Sequence, residues 1–260
     1  MTGPPAARDA IDVRALWRLY GQGASQFWRA AERGESLLAR EAALTLSGEP
    51  HIEMNFGIVG AGPRAEAHLR EFVARLRALR LPGYLVLTDD VADELAPTAH
   101  DLGLVARGTT PLMLRHGADQ PRPGGEFTVR RLTEAAEVED FVGIVAAAWS
   151  VPVELAGRAL GPAALRAPGV ALFLATDAAT GAPASAAVST ATGDAVGVWA
   201  VSTVPQQRGR GAARAVVAAL LRHHRDTAGP SYLTAGAARR LYEGLGFETV
   251  AEGVAWDVTQ

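Results

Sequence analysis

Short apolar runs alternate with amphipathic segments through the second half of the chain, a pattern typical of mixed α/β folds. The spacing of apolar residues predicts helices at Glu134–Trp149, Ala212–His224 and about Ala237–Gly244. The predicted strands are, in chain order, FTVRRL, VALFLAT, SAAVST, AVGVWAVSTV and SYLTA, followed by a closing pair, FETVA and GVAWDV. These elements predict a mixed β-sheet flanked by helices.

Much of that order recurs in the first half, from Met54 onward. The segments MNFGIV, GYLVLTDD and LVARGTTPLMLR are predicted strands, and Arg64–Arg80 and Val91–Asp101 are predicted helices. Leu102-Gly103-Leu104 and Leu245-Gly246-Phe247 stand at matching points, 143 positions apart. The two halves therefore look like a diverged internal duplication.

A polar stretch with two prolines and three glycines, HGADQPRPGG, separates the two halves. This composition, without apolar periodicity, is typical of a linker. It predicts an N-terminal domain at residues 1–115, a linker at 116–125 and a C-terminal domain at 126–260. Each predicted domain has an ordinary size for an independent unit.

Composition narrows the chemistry more than the fold. The chain has no cysteine and no lysine, which excludes disulfides, thiol nucleophiles and lysine Schiff bases. The six histidines show no metal-ligand spacing, so no metal site is predicted. No signal peptide and no apolar run of roughly 18 residues is found, which predicts a cytoplasmic protein without a membrane span.

The most informative segment runs from Val201 to Arg214 and reads VSTVPQQRGRGAAR. A strand ends, Pro205 interrupts its hydrogen bonding, and a loop rich in glycine and arginine opens a helix. Glycines let backbone N–H groups converge on an anion, and the start of a helix carries partial positive charge. The segment therefore predicts a pyrophosphate cradle, although a plain turn of similar composition is the alternative.

A second segment, ARRLYEGLGF from Ala238 to Phe247, follows after one more strand. With the Arg208-x-x-Gly211-x-Ala213 loop and the order of elements around it, residues 126–260 resemble the GCN5-related N-acetyltransferase superfamily. The resemblance implies an α/β fold of two tandem acyl-CoA N-acyltransferase-like domains, each a splayed mixed β-sheet flanked by helices. It implies acetyl-CoA as the donor and a degenerate N-terminal domain.

The resemblance also assigns residues to the donor site. Backbone groups of Val201, Ser202 and Thr203 would hold the pantetheine and the thioester. The pyrophosphate would lie on the loop, with Arg214 adjacent to it; the loop residues are Arg208, Gly209, Arg210, Gly211, Ala212 and Ala213. Tyr242 would protonate the departing thiolate, or alternatively would only pack against CoA.

Two features depart from the pattern or remain open. An asparagine or serine that often contacts CoA in the family is replaced here by Ala235 or Ala238. No general base is predicted, because solvated or packing roles suit Asp194, Glu154 and Trp149 better than catalysis.

The first half contains a dinucleotide-like fingerprint, Gly60-x-Gly62-x-x-Ala65, with Asp89 and Asp90 at the end of the next strand. Too few residues follow for further βα units of a dinucleotide-binding half. The segment also aligns with the acetyltransferase-like repeat. It is therefore interpreted as a degenerate domain that shapes the acceptor cleft or stabilises the other half, with NAD binding as the alternative.

Taken together, these features predict acetyl transfer to a primary amine of a small molecule by direct attack. The alternatives are another acyl donor, including an aminoacyl-tRNA, and a non-catalytic module that binds CoA or a partner. The net charge of −3 argues against nucleic acids, so no DNA partner is expected and tRNA is disfavoured. A monomer or a homodimer is expected.

Overall fold

The structure, a computed structural model, describes residues 12–116, 126–227 and 229–259. Seven α-helices lie in these ranges: α1 Val13–Trp28, α2 Ala65–Ala78, α3 Ala92–Asp101, α4 Val138–Trp149, α5 Val153–Leu160, α6 Ala212–His223 and α7 Arg239–Glu243. The same ranges hold eleven strands: β1 Glu35–Leu38, β2 Ala42–Leu46, β3 Asn55–Val59, β4 Gly83–Leu87, β5 Val105–Arg115, β6 Phe127–Arg131, β7 Val170–Asp177, β8 Pro183–Thr192, β9 Ala195–Thr203, β10 Ser231–Thr234 and β11 Glu248–Val258.

All eleven strands form one continuous mixed sheet, in the order β1-β2-β3-β4-β11-β5-β10-β9-β8-β7-β6. The pairs β3/β4 and β9/β10 are parallel, and the other neighbours are antiparallel. Helices cover both faces, which confirms the predicted α/β class. The predicted linker, apart from His116, lies outside the described residues.

The two halves exchange strands at the middle of the sheet. β11 inserts between β4 and β5 of the first half, and β5 inserts between β10 and β11 of the second half. Val105 lies opposite Asp257, and Leu114 lies opposite Glu248. Positions 105 and 248 are 143 apart, as are 114 and 257, so the pairing obeys a local twofold symmetry that matches the internal duplication.

The prediction of two closing strands is wrong, because residues 248–258 form the single strand β11. Gly253, which suggested a turn, lies inside the strand where a side chain would collide with its neighbours. A Cβ on it would meet Val86 Cγ1 at 2.5 Å and Leu87 O at 2.9 Å. Close packing therefore explains this glycine, not a reversal of the chain.

The core is divided between the two faces of the sheet. One cluster spans both halves beneath α1, α4 and α5, while the other face carries separate clusters under α6 and under α2 and α3. β5 shows the alternation, since Leu112 and Leu114 join the shared cluster and Met113 joins the cluster under α6. Successive side chains on a strand point to opposite faces, which explains this division.

Helix α1 lies outside the elements predicted from the sequence, yet it joins the two halves. Asp12 caps it by accepting a hydrogen bond from the Ala15 N–H at 3.0 Å. Its Tyr232 neighbour on β10 donates a hydrogen bond to Leu19 O at 3.0 Å. The helix contacts β2 and β3 of the first half and β8 and β9 of the second. An early segment thereby closes the interface between the halves.

Within the described ranges, no single helix is long and apolar enough to cross a membrane. Two consecutive helical segments, 135–149 and 153–166, reach that length and composition only together, and they are bent by 119° at the break between them.

Candidate active site

The parallel strands β9 and β10 separate soon after they begin. They pair only at Val196 with Ser231 and at Gly197 with Tyr232. Beyond this point β10 stays paired with β5, while β9 stays paired with β8 as far as Thr203. The inner edge of β9 from residue 198 onward therefore faces a cleft without a partner strand. This is the splay that the sequence resemblance implied.

A β-bulge marks β9 where the cleft opens. Ala186 lies opposite Ser202 and Val188 opposite Trp199, so β9 carries one extra residue between them. Ala200 lies in this bulge with φ of 48°, a conformation that costs energy for a residue with a side chain. Bulges twist a strand and re-aim its backbone groups, and they are common next to active sites.

The glycine-rich loop lies beyond the end of the same strand. Gly209 and Gly211 have φ of 77° and 91°, and a Cβ built on either one would meet nothing within 4 Å. Gly211 is the N-cap of α6, and no side chain caps that helix. The first amides of α6 are thus left open to an anion, as the predicted cradle requires.

The three arginines of the loop differ in how they are used. Arg210 Nη1 lies 2.9 Å from Asp177 Oδ2, and its guanidinium lies 5.5 Å from the centre of the Phe127 ring. Arg214 donates to Gly244 O at 2.8 Å, and Arg208 donates to Thr203 O at 3.3 Å. Arg210 and Arg214 thus also tie the loop to β7 and to the end of α7.

Tyr242, on α7, borders the cleft from the other side. The residue is buried and packs edge-on against Phe247, with 6.0 Å between ring centres. Burial raises the pKa of Tyr242 to about 12. The hydroxyl group therefore stays protonated over the physiological range, which is the state that a proton donor needs.

A cavity of about 520 Å³ lies in the cleft and has walls from both halves. The second half contributes the β9 segment from Val198 to Val201, together with Thr234 and Tyr242; α4 adds Trp149. The first half and α1 contribute mainly aromatic rings, namely those of Tyr20, Phe27, Trp28, Phe56 and Tyr84. Tyr20 Oη lies 2.7 Å from Thr234 Oγ1, which joins the two walls.

Two polar side chains reach the cavity from the turn that precedes β3. His51 stacks on Trp149, with 6.2 Å between ring centres and 10° between their planes. Burial lowers the pKa of His51, so that its ring is neutral at pH 7. Glu53 also lines the cavity and forms an ion pair with Arg107 of β5. No sequence pattern singled out these residues, because they reach the cavity only through the pairing of the halves.

The acid candidates considered from the sequence lie elsewhere. Asp194 is exposed at the turn between β8 and β9, and Glu154 is exposed at the start of α5. Only Trp149 of the three lines the cavity, where its ring forms part of the wall. In the described part of the chain, no cluster of three or more His, Asp or Glu side chains suited to a metal ion is present.

The equivalent position in the first half is closed. β3 and β4 stay paired from Phe56 with Tyr84 through Val59 with Leu87. The side chain of Asp90 then turns back onto the glycine loop, accepting from the Ala61 N–H at 3.3 Å and from Thr88 Oγ1 at 2.6 Å. This first half therefore lacks the splayed edge that characterises the second.

Asp90 also forms an ion pair with Arg14 Nε at 2.6 Å. Burial alone would raise the pKa of Asp90, but hydrogen bonds from Thr88, Ala61 and Arg14 outweigh it and lower the pKa. A cavity of about 600 Å³ borders the loop, with this pair on its wall. A carboxylate on the loop amide opposes the pyrophosphate that the dinucleotide alternative requires.

Comparison with known proteins places this geometry in a fold class. No protein-family model matches the chain, and no curated protein matches it at a significant level. Among solved structures, a GCN5-related N-acetyltransferase from Kribbella flavida is 19% identical with a TM-score of 0.66, covering 95% of this chain and 96% of that one.

Two further structures extend the comparison. A GCN5-related N-acetyltransferase from Sphaerobacter thermophilus is 14% identical with a TM-score of 0.59, over 86% of this chain and 82% of that one. A tandem GNAT protein of the clavulanic acid biosynthesis pathway is 15% identical with a TM-score of 0.54, over 84% and 78%. The chain therefore has the fold of GCN5-related N-acetyltransferases in a tandem arrangement, which confirms the resemblance at the level of fold.

Proposed function

We propose that the protein transfers an acetyl group from acetyl-CoA to a primary amine of a small molecule. The observation that carries this proposal is the splayed edge of β9, which opens into a cavity and leads at its end to the glycine loop of α6. An extended donor with a phosphate group at one end and a reactive acyl group at the other matches this arrangement. The fold shared with N-acetyltransferases supports it.

The donor would lie along β9. Backbone groups of Val201, Ser202 and Thr203 would hold the pantetheine arm. The pyrophosphate would bind the amides of the loop between Arg208 and Ala213, with Arg214 beside it. Open space at Gly209 and Gly211 supports this placement, because an anion can approach the backbone there closely.

The chemistry needs few groups. The amine nitrogen attacks the thioester carbonyl carbon, forming the N–C bond and moving the carbonyl electrons onto oxygen. Backbone N–H groups at the unpaired edge of β9 would stabilise that oxyanion. Collapse breaks the C–S bond, CoA leaves as a thiolate, and the nitrogen gives up its proton. The chain contains no cysteine, so transfer through an enzyme thioester does not arise.

Tyr242 is the residue proposed to protonate the departing sulfur. Its ring borders the cavity, and its pKa of about 12 keeps the proton in place until a thiolate forms. The tyrosinate then recovers a proton that originates from the amine. Net transfer converts acetyl-CoA and an amine into an acetamide and free CoA.

The first half has a different task in this proposal. Its unsplayed strands and the occupied loop at Asp90 argue against a second donor site. Its rings and polar groups wall the acceptor side of the cavity. A cytoplasmic location, where acetyl-CoA is available to a protein with this chemistry, remains part of the proposal, as does a monomeric or homodimeric state.

Calorimetric titration with acetyl-CoA tests the donor site directly. We expect micromolar binding by the unaltered protein and its loss in Gly211→Asp, because a carboxylate there would repel the pyrophosphate. Gly193→Asp is the matched control, since Gly193 also has a positive φ, of 58°, and open space around it, but lies in the turn between β8 and β9.

The outcomes separate the candidate functions. Tight binding by Gly211→Asp would overturn the loop assignment, and failure of the unaltered protein to bind any CoA species would overturn the proposed function. Acetyl-CoA binding without transfer to any amine would indicate a CoA-binding module. Titrations with other acyl-CoA species, and a salt-sensitive tRNA-binding assay, address the remaining donors.

A further inference from the structure

We infer that the acceptor is a primary amine carried on an aromatic or similarly flat apolar body, bound as its ammonium form by Glu53. The inference rests on the proposed function, since it names the substrate class of the same cavity. It is drawn from the rings and charges around the acceptor side, which the donor site does not use.

Aromatic side chains are concentrated at this one cavity. The chain has 5 Trp, 4 Tyr and 7 Phe, and eight of these 16 residues line the cavity. Those on the acceptor side come from α1, β3, β4 and α4, and so from elements that meet only because the halves pair. A ligand with a flat apolar body would remove these rings from water, while a strongly polar ligand would leave its own groups unpaired.

The charge of the cavity favours a cation. Glu53 is the one carboxylate among its lining residues, and no arginine lines it. Arg107 pairs with Oε1 of Glu53, and its Nε also lies 3.6 Å from Asp257 Oδ1. One guanidinium therefore serves two carboxylates, and the cluster retains a net negative charge when both are ionised.

His51 does not offset that charge. Its Nδ1 accepts a hydrogen bond from the Glu53 N–H at 3.3 Å, which leaves the proton of the neutral ring on Nε2. Burial lowers the pKa of His51 and so favours this neutral form. The ring therefore offers the cavity a hydrogen-bond donor and a flat face stacked on Trp149, without a positive charge.

An ammonium group gains from both features at once. A carboxylate supplies the opposite charge, and nearby ring faces attract cations through their quadrupoles. Glu53 is half-buried, which leaves it reachable by a ligand while reducing the screening by water. The amine must lose a proton before it attacks, and a carboxylate at the binding position can receive it.

Three small probes separate the contributions of ring and charge without any acyl donor. 2-Phenylethylamine has both, 2-phenylethanol has only the ring, and ethylamine has only the charge. Three tryptophans, Trp28, Trp149 and Trp199, line the cavity, so quenching of intrinsic fluorescence reports binding. We expect 2-phenylethylamine to bind about tenfold or more tightly than either of the other probes.

Two variants assign the effect to residues. Glu53→Gln keeps the size of the side chain and should weaken 2-phenylethylamine binding by about tenfold, leaving 2-phenylethanol unchanged. Trp149→Ala should weaken both ring-bearing probes to a similar extent. Glu66→Gln, an exposed glutamate paired with Arg70 on α2, is the matched control and should change neither.

The results distinguish this inference from the proposed function. Acetyl-CoA titration of each variant shows that the fold and donor site are intact. With donor binding intact, ethylamine binding as tightly as 2-phenylethylamine, no binding of 2-phenylethylamine, or an unaffected Glu53→Gln variant would each overturn the acceptor class alone. Loss of acetyl-CoA binding in the unaltered protein would instead overturn the proposed function, and the probe titrations would still decide which ligand class the cavity prefers.

Discussion

Tyr242 illustrates how a single side chain acquires a role from its surroundings. The residue packs in the cluster under α6, yet it also borders the cavity where β9 and β10 separate. Burial destabilises the tyrosinate and raises the pKa of Tyr242 to about 12. A group that holds its proton this firmly can donate only to a stronger base, such as a thiolate forming beside it.

Replacing Tyr242 with phenylalanine tests that role. We expect turnover to fall by roughly 100-fold, a typical contribution of a general acid, while the affinity for acetyl-CoA changes little because the ring remains. Because the folded-state pKa is about 12, the hydroxyl should remain protonated through pH 10, so the wild-type rate should show no loss from Tyr242 ionisation in that range. Release of CoA, followed with a thiol reagent over a pH series, measures both effects.

Unchanged turnover in Tyr242→Phe would remove the hydroxyl group from the mechanism and leave only a packing role. The residue itself was predictable, since the Leu241-Tyr242 motif follows the glycine loop at a characteristic distance. Glu53 and His51 had no such signal. They reach the cavity from a short turn, and their proximity to Trp149 depends on how the halves pair.

Among elements, the turn that carries His51 and Glu53 is tied to α5 of the other half by a buried ion pair. Arg158 donates to both oxygens of Glu49, with its Nε at 2.9 Å and its Nη2 at 2.6 Å. The Glu49 side chain is only 2% exposed, so its carboxylate depends on this arginine for compensation. The pair therefore fixes one wall of the cavity to the other.

We expect Arg158→Ala to destabilise the protein and also to weaken amine binding. A buried acceptor left without its partner costs about 1–3 kcal/mol, and here that acceptor is the Glu49 carboxylate. Urea unfolding and the 2-phenylethylamine titration measure the two effects. Arg166→Ala, an exposed arginine in the segment that follows α5, serves as control, and equal behaviour of the two variants would contradict the role of the pair.

Element predictions succeeded where local pattern and tertiary contact agree. The predicted helix at Ala212–His224 corresponds closely to α6, because its apolar face and its glycine start are both local features. Residues 248–258 were misassigned as two strands, because Gly253 resembles a turn signal unless its close contact with β4 is known. Helix α1 has the spacing of an amphipathic helix and a capping Asp12, so its signal was present in the sequence.

At the scale of the whole molecule, the exchange of β5 and β11 makes each half dependent on the other. β10 of the second half has β5 as its outer neighbour, and β4 of the first half has β11. Separating the halves would expose two strand edges and open the shared core beneath α1, α4 and α5. The division into domains at the linker remains a prediction about the chain, while the sheet crosses it.

We expect fragments 12–116 and 126–259, produced separately, to lack cooperative thermal unfolding, and we expect mixing them to restore it together with acetyl-CoA binding. Each fragment alone would lack the strand that the other inserts beside its own. Circular dichroism and calorimetry measure the two properties. A second-half fragment that folds alone and binds acetyl-CoA with full affinity would show that the exchange is dispensable.

The sequence by itself determined the features that depend on neighbouring residues: the order of elements, the duplication, the glycine loop and the Leu-Tyr motif. These follow from periodicity and backbone preference, which act over a few residues. Only the tertiary structure decided which strand pairs with which. β5 and β11 both alternate in a way that suits either half, and pairing over more than 100 residues is settled by closure of one sheet and burial of one core. The cavity, its rings and its single carboxylate follow from that choice, because they come from segments that are distant in the chain.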